Sequence, residues 1–432
     1  MAADATGGSG TSGASGTSGG TVLAGSAGAA GAAGSAGTAG TAGRAASGGA
    51  AGWEGSAGPV GRAEPVGSPG TAVGLPGVGW ALKATGKDAR LRGLAAVNAA
   101  TAWVSGSKGT VLRTVDGGAS WNDVSPPGAV ADGLELRDIE AFDARRAVAL
   151  SIGEGGDSRV FRTEDGGVSW TETFRNPDPK AFYDCLTFFD PRHGLAMSDP
   201  VDGKFRILST EDGGRSWQVL PNDGMPAALP GEAGFAASGQ CLVSAGPRDV
   251  WLATGGGATA RVLHSSDRGR NWRVAESTVP AGDPAKGVFG LAFRHGGYGA
   301  VGLAVGGDYR TGQASPQAAA VTSDAGRTWR TSDTPPPAYR SGVAWLPSQP
   351  HLRTAALAVG PTGTDVTLDG GRTWTPLSTG SFDTVSCPRS AGYADLGAVG
   401  AGGADGGSKA YAGCWAAGEK GRVGRLERSA GS

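Results

Sequence analysis

The chain has 432 residues and almost no net charge, with 38 Lys and Arg against 39 Asp and Glu. That balance leaves no electrostatic footprint for nucleic acid or an anionic membrane. Nowhere do about eighteen apolar residues follow one another, so no transmembrane helix is expected. The N-terminus has neither the basic start nor the apolar stretch of a secretory leader, and TVLAGSAGAAGAAG is too rich in glycine to supply one. Cysteine is scarce. Cys185, Cys241, Cys387 and Cys414 form no CxxC pair and match neither a zinc site nor a thioredoxin-like motif. They read as buried structural thiols, with a Cys387–Cys414 disulfide as the sharper alternative. His193, His264, His295 and His351 are scattered, two of them in DPRHGL and FRHGGY. They read as surface turn residues, and no metal site or cofactor is expected. No stretch sustains a helical period.

Glycine, by contrast, is abundant, with 80 residues unevenly spread. Residues 1–78 are mostly Gly, Ala, Ser and Thr, with Trp53 the one aromatic. Such a segment cannot bury enough apolar surface to offset its conformational entropy. It is expected to be a disordered, low-complexity tail.

Beyond the tail one octet recurs. TVDGGASW, TEDGGVSW, TEDGGRSW, SSDRGRNW, TSDAGRTW and TLDGGRTW end at Trp121, Trp170, Trp217, Trp272, Trp329 and Trp374. Their aspartates, Asp116, Asp165, Asp212, Asp267, Asp324 and Asp369, are separated by 45 to 57 residues. A period of that size indicates a propeller or solenoid. Short β-rich runs such as AVALSI, VWLAT and AALAVG lie between octets, and four short strands per repeat fit a propeller blade. In each octet the aspartate can accept hydrogen bonds from following amides. The next glycine allows a positive φ, and the tryptophan can wedge between repeats. The octet is the Asp-box, or BNR repeat, of sialidase-like propellers, and six equal copies serve architecture rather than one active site.

A seventh blade is worn but legible. GCWAAGEKGRVGRLE near the C-terminus resembles AWVSGSKGTVLRT, and GWALKAT, with Trp80, resembles SWNDVS. The expected fold is all-β: a seven-bladed β-propeller over residues 79–428 whose N-terminal strand completes the last blade. Such closure removes free sheet edges, so a monomer is expected.

Aligned by apolar pattern, the innermost strands read RGLAAV, RDIEAF, YDCLTF, SGQCLV, VFGLAF, RSGVAW and FDTVSC. Arg92, Arg137 and Arg340 fall at their first position, beside Tyr183, Ser238, Val288 and Phe382. The second position adds Asp138, Asp184, Ser341 and Asp383. Strand direction places them at the channel mouth on the face opposite the octets. The long loops collect on that face with Asp199, Asp202, Lys204, Glu232, Asp308, Tyr309 and Tyr339. Convergent arginines suit a carboxylate or phosphate, hence a small anionic ligand or a protein segment. An ion network with Asp138 or Asp184 is the structural alternative.

Octets, blade number and channel arginines together resemble the photosystem II stability/assembly factor family and its non-photosynthetic bacterial relatives. FYDCLTFFD, MSDPVDGKF, GEAGFAASG, VGGDY and YRSG look like the bacterial members. The resemblance implies a non-enzymatic binding or assembly propeller with an arginine patch at Arg92, Arg137 and Arg340, and favours an exported protein. Two alternatives stand beside it. A sialidase-like glycoside hydrolase would use Tyr183, Tyr309 or Tyr339 as nucleophile and Glu232 as base. An oxidoreductase label circulates among relatives, but Gly255–Gly257 lie in a β context and read as a turn rather than a dinucleotide fingerprint.

Overall fold

In the computed structural model the described residues are 75–296, 299–310, 315–347, 352–388 and 413–428. Residues 1–74 of the expected tail, and His351, lie outside them. The strands form seven four-stranded antiparallel sheets. Blades 1 to 6 span 91–123, 135–175, 183–219, 242–276, 286–331 and 342–378. In each, the strands follow chain order from inside to outside. Blade 7 is composite: Thr384–Ser386, Trp415–Ala417 and Val423–Arg428 are joined by Val78–Lys83 as its outermost strand. The pairing runs from Val78 against Arg428 to Lys83 against Val423. Among the described residues the α-helix Pro127–Ala131 is a single short turn.

The octets explain why these sequences turn where they do. In the first, the Thr114 hydroxyl donates to Asp116 Oδ1 at 2.8 Å and accepts from the Gly118 amide at 2.9 Å. The Ser120 amide and hydroxyl then donate to the two oxygens of Asp116. The same bonds recur around Asp165, Asp212, Asp267, Asp324 and Asp369. The residue after each aspartate has a positive φ, including Arg268 at 60° and Ala325 at 62°. The glycine after that is invariant within the chain for two reasons. Its φ is positive, and a Cβ at Gly167 would stand 2.5 Å from Val124 of the preceding blade. The octet tryptophans fill the seams. Trp170 meets Trp103 edge-on at 6.3 Å, and Trp121 meets Trp415 at 5.8 Å. Trp80, at the corresponding place in blade 7, lies 5.4 Å from Phe382 and donates to Thr364.

Two readings of the scarce residues change. All four cysteines are paired, Cys185 with Cys241 and Cys387 with Cys414. The first pair ties the inner strand of blade 3 to the entry of blade 4, a juxtaposition created by ring geometry and invisible to spacing. The second holds together the two inner strands of blade 7. His264 is no surface turn residue. It lies in the strand Arg261–Ser265, stacks on Trp251 at 4.6 Å, and bonds Asp249 through Nε2 at 2.8 Å. Burial lowers its pKa.

The octet carboxylates are stabilised only when ionised. Their serine partners hold Asp116 and Asp165 down to about 2, and hydrogen bonds outweigh burial to hold Asp212 there also. Their contribution is complete above about pH 4, the unfolded value, and is lost as pH falls toward 2. Melting temperature is expected to drop over that interval. An Asp116→Asn/Asp165→Asn/Asp212→Asn variant should melt lower near neutrality and show a shallower acid limb, and parallel limbs would contradict the assignment. Separately, replacing Cys387 and Cys414 by Ser should cost about 3.5 kcal/mol in chemical denaturation, the expected worth of closing a loop of 27 residues.

Candidate functional site

A bulge at the start of the inner strands builds the channel mouth. In blade 1, Leu91 pairs with Gly106 and Gly93 with Ser105, leaving Arg92 as the extra residue. In blades 2, 3 and 5 the extra residues are Arg137, Asp184 and Phe289. A bulge frees one side chain from the pleat and re-aims it. In blade 6 the Ser341 amide reaches the Val359 carbonyl, with which Gly342 is in register. In blade 7 the Asp383 amide does the same with Ala417, opposite Thr384. The true equivalents of Arg92 are therefore Arg137, Asp184, Phe289, Ser341 and Asp383.

This corrects the alignment of apolar patterns by one residue in blades 3, 5, 6 and 7. Tyr183, Val288, Arg340 and Phe382 correspond to Leu91 and Leu136, and all are buried between or within blades. A slip of one residue along a strand exchanges its faces. Arg340 consequently leaves the mouth. Its Nε bonds Asp365 at 2.6 Å, and its Nη1 bonds Thr362 and the Tyr339 carbonyl. Arg340 and Asp365 are 3% and 1% exposed, so they form a buried ion pair inside blade 6.

The channel is bridged just below the mouth. Gln240, entering blade 4, donates to the Val385 carbonyl and accepts from the Val343 amide, both at 2.7 Å. The Ser238 hydroxyl donates to the Ser341 carbonyl, and the Thr384 hydroxyl donates to the Ser238 carbonyl. Blade 4 thus contacts blades 6 and 7 across the axis, and the mouth is a cup with a floor.

One side of the cup is cationic. Arg90 makes a two-pronged bond to Asp383, both contacts 2.8 Å, and reaches Glu419 at 3.2 Å. That hydrogen-bonded carboxylate raises the Arg90 pKa. Arg92 approaches Asp383 only to 3.9 Å, and its buried Nε finds no hydrogen-bond partner among the described residues. Burial lowers its pKa, with Arg90 adding repulsion. Arg137 bonds Glu135 at 3.3 Å and the Ala236 carbonyl at 3.1 Å. Arg90 was not foreseen: it precedes the strand Leu91–Ala96 and converges with Arg92 on Asp383.

The other side is aromatic. Phe235 stacks on Phe289 at 3.9 Å, and Tyr339 and Tyr309 meet Phe289 edge-on at 4.8 and 6.0 Å. Tyr309 is 39% exposed. Tyr339 is buried, which raises the pKa of its hydroxyl. Tyr183 lies in the seam between blades 2 and 3, its hydroxyl unpaired among the described residues and pushed up to about 12 by burial. Glu232 is consumed by Arg261, with Thr254 a further donor. A tyrosine nucleophile activated by Glu232 is therefore not assembled. Lys204 reaches the Asn222 carbonyl, Lys180 pairs with Asp202, and Asp308 pairs with Arg310. Asp138 accepts from the Ile139 and Leu186 amides, tying blade 2 to blade 3. Asp184 and Asp199 lie together beneath the loop that carries Gly234.

Solved structures share this architecture. YCF48 bound to a D1 peptide matches with a TM-score of 0.49 at 13% identity, over 81% of this chain and 94% of that one. YCF48 from Cyanidioschyzon merolae matches at 0.50 and 13%, over 81% and 98%. The GH74 xyloglucanase from Xanthomonas campestris matches at 0.50 and 16%, and here the matched region covers 82% of this chain but 54% of the xyloglucanase. The likeness establishes the propeller and nothing finer, since one fold hosts many functions. No family model and no curated protein sequence matches the chain.

Arg340 and Arg92 are expected to differ in their worth to stability. Arg340→Ala strands Asp365 and is expected to cost about 3–5 kcal/mol of stability, measured by urea unfolding. Arg92→Ala, which breaks no hydrogen bond, should cost under about 1 kcal/mol.

Proposed function

We propose that the protein is a non-enzymatic binding propeller whose mouth, opposite the octets, receives an anionic group carried on a protein segment. The observation that supports this is Arg92. A guanidinium has five N–H donors in a fixed fork that matches a carboxylate. Arg92 is largely withdrawn from water yet has no hydrogen bond among the described residues. Leaving a buried donor such as this Nε–H unspent is costly, and a carboxylate drawn in beside it would satisfy it. Asp383 does not, because its Oδ2 stays 3.9 Å from the Arg92 Nε.

The aromatic side favours a segment over a bare anion. Phe235 is half-buried and Tyr309 exposed beside the arginines. They offer flat apolar surface to a neighbouring side chain, and aromatic anchors carry much of the energy at interfaces. A chain terminus, or an acidic residue next to an apolar one, uses both sides of the cup. The bridged channel excludes threading, so the segment ends or turns at the mouth.

The test is calorimetric titration of short peptides that end in an aromatic–acidic pair, each as free acid and as C-terminal amide. The free acid should bind at least about tenfold tighter, the worth of one charged hydrogen bond. Arg92→Ala should erase that preference. Equal binding of acid and amide, or an unchanged preference in the variant, would contradict the proposal.

A further inference from the structure

Asp184 and Asp199 come from adjacent strands of blade 3, and their carboxyl groups both lie against Gly234. Asp184 is 2% exposed, and its buried Oδ2 finds no donor among the described residues. Ionised carboxylates only accept hydrogen bonds, so a hydrogen bond between the two needs a proton on one of them. Burial, then the neighbouring charge, raises Asp184 well above the usual carboxylate range, and burial raises Asp199 to about 6. The surrounding charges are engaged elsewhere. Glu232 of the overlying loop is held by Arg261, and Arg137 of blade 2 by Glu135. Asp138 accepts two amides, and Lys180 pairs with Asp202 at the hairpin turn.

The loop above the pair is the one that walls the mouth. The Gly234 amide donates to Asp199 Oδ1 at 2.7 Å. A Cβ at Gly234 would lie 3.3 Å from Asp184 Oδ2 and 2.9 Å from the Met197 methyl, so the backbone rests directly on the pair. The next two residues are the aromatic face, Phe235, and the carbonyl of Ala236 that occupies Arg137.

We infer that Asp184 and Asp199 form a proton-held latch on the loop 229–241, closed while they share a proton and open when both are ionised. Two charges in this dry site repel each other more strongly than one amide bond can offset. The repulsion is relieved by admitting water, which means lifting Gly234. Lifting it withdraws the Ala236 carbonyl and leaves the Arg137 donors for a ligand. This consequence for binding rests on the function proposed above, whereas the latch itself does not.

The test is hydrogen exchange by mass spectrometry on the full chain from pH 5.5 to 8.5, with rates corrected for intrinsic chemistry. In the wild type, protection of amides 233–238 should fall at least about tenfold across that range. In Asp184→Asn the side-chain amide can donate to Asp199 at every pH, so protection should stay constant. Asp199→Asn is the second variant should the first fail to fold. Flat protection in the wild type, or the same fall in the folded variant, would overturn the latch. A fall prevented by added calcium and restored by chelator would also overturn it, because a cation rather than a proton would then bridge the pair. If protection falls as expected and no acidic peptide binds at either pH, the latch stands and the binding proposal fails.

Discussion

Each blade buries its apolar faces against two neighbours, so everything depends on the seam where the ring joins without a covalent link. Val78–Lys83 makes that seam by completing blade 7 from the opposite end of the described chain. Salt bridges of Glu427 with Lys83 and Arg425 reinforce it, and Arg425 reaches on to the Ala99 carbonyl of blade 1. The Cys387–Cys414 disulfide holds the inner half of the same blade. Closure also makes the candidate site. Arg90 and Arg92 belong to blade 1, while Asp383 and Glu419 belong to blade 7. The cationic side of the cup exists only when the ring is shut.

The two faces divide their labour for a physical reason. On the octet face every aspartate is saturated by its own turn, and the tryptophans are spent on packing. On the other face, a bulge in each of four inner strands releases one side chain from the ladder. A bulge disturbs pairing locally and recurs where side chains need aiming. Here it supplies Arg92, Arg137, Asp184 and Phe289 from four blades. Gly93, Gly290 and Gly342, each the residue after its blade's mouth position, let backbones approach closely. A Cβ at Gly93 would lie 3.0 Å from the Asp138 backbone of blade 2.

Much of the fold was legible because it is periodic. Six octets and two fragments that fit no octet led to seven blades and a shared last sheet. The site was less legible because it breaks the period. A bulge adds one residue without any mark in composition, so alignment by apolar pattern placed Arg340 beside Arg92. Arg340 is itself an exception, an arginine at a position filled in blades 1 and 2 by Leu91 and Leu136, and only its partner Asp365 makes it tolerable there. The Cys185–Cys241 link and the Glu232–Arg261 pair join segments that the ring brings together.

The ligand proposed for the mouth would dock on Arg92, whose buried Nε has no hydrogen-bond partner among the described residues. The most direct test is a titration of 15N-arginine-labelled protein with an acid-ended peptide, following the Nε–H signals by NMR. The signals of Arg92 and Arg137 are expected to move together and saturate, while the buried Arg340 stays still. Movement confined to Arg215 and Arg270, which stand on the octets, would contradict it.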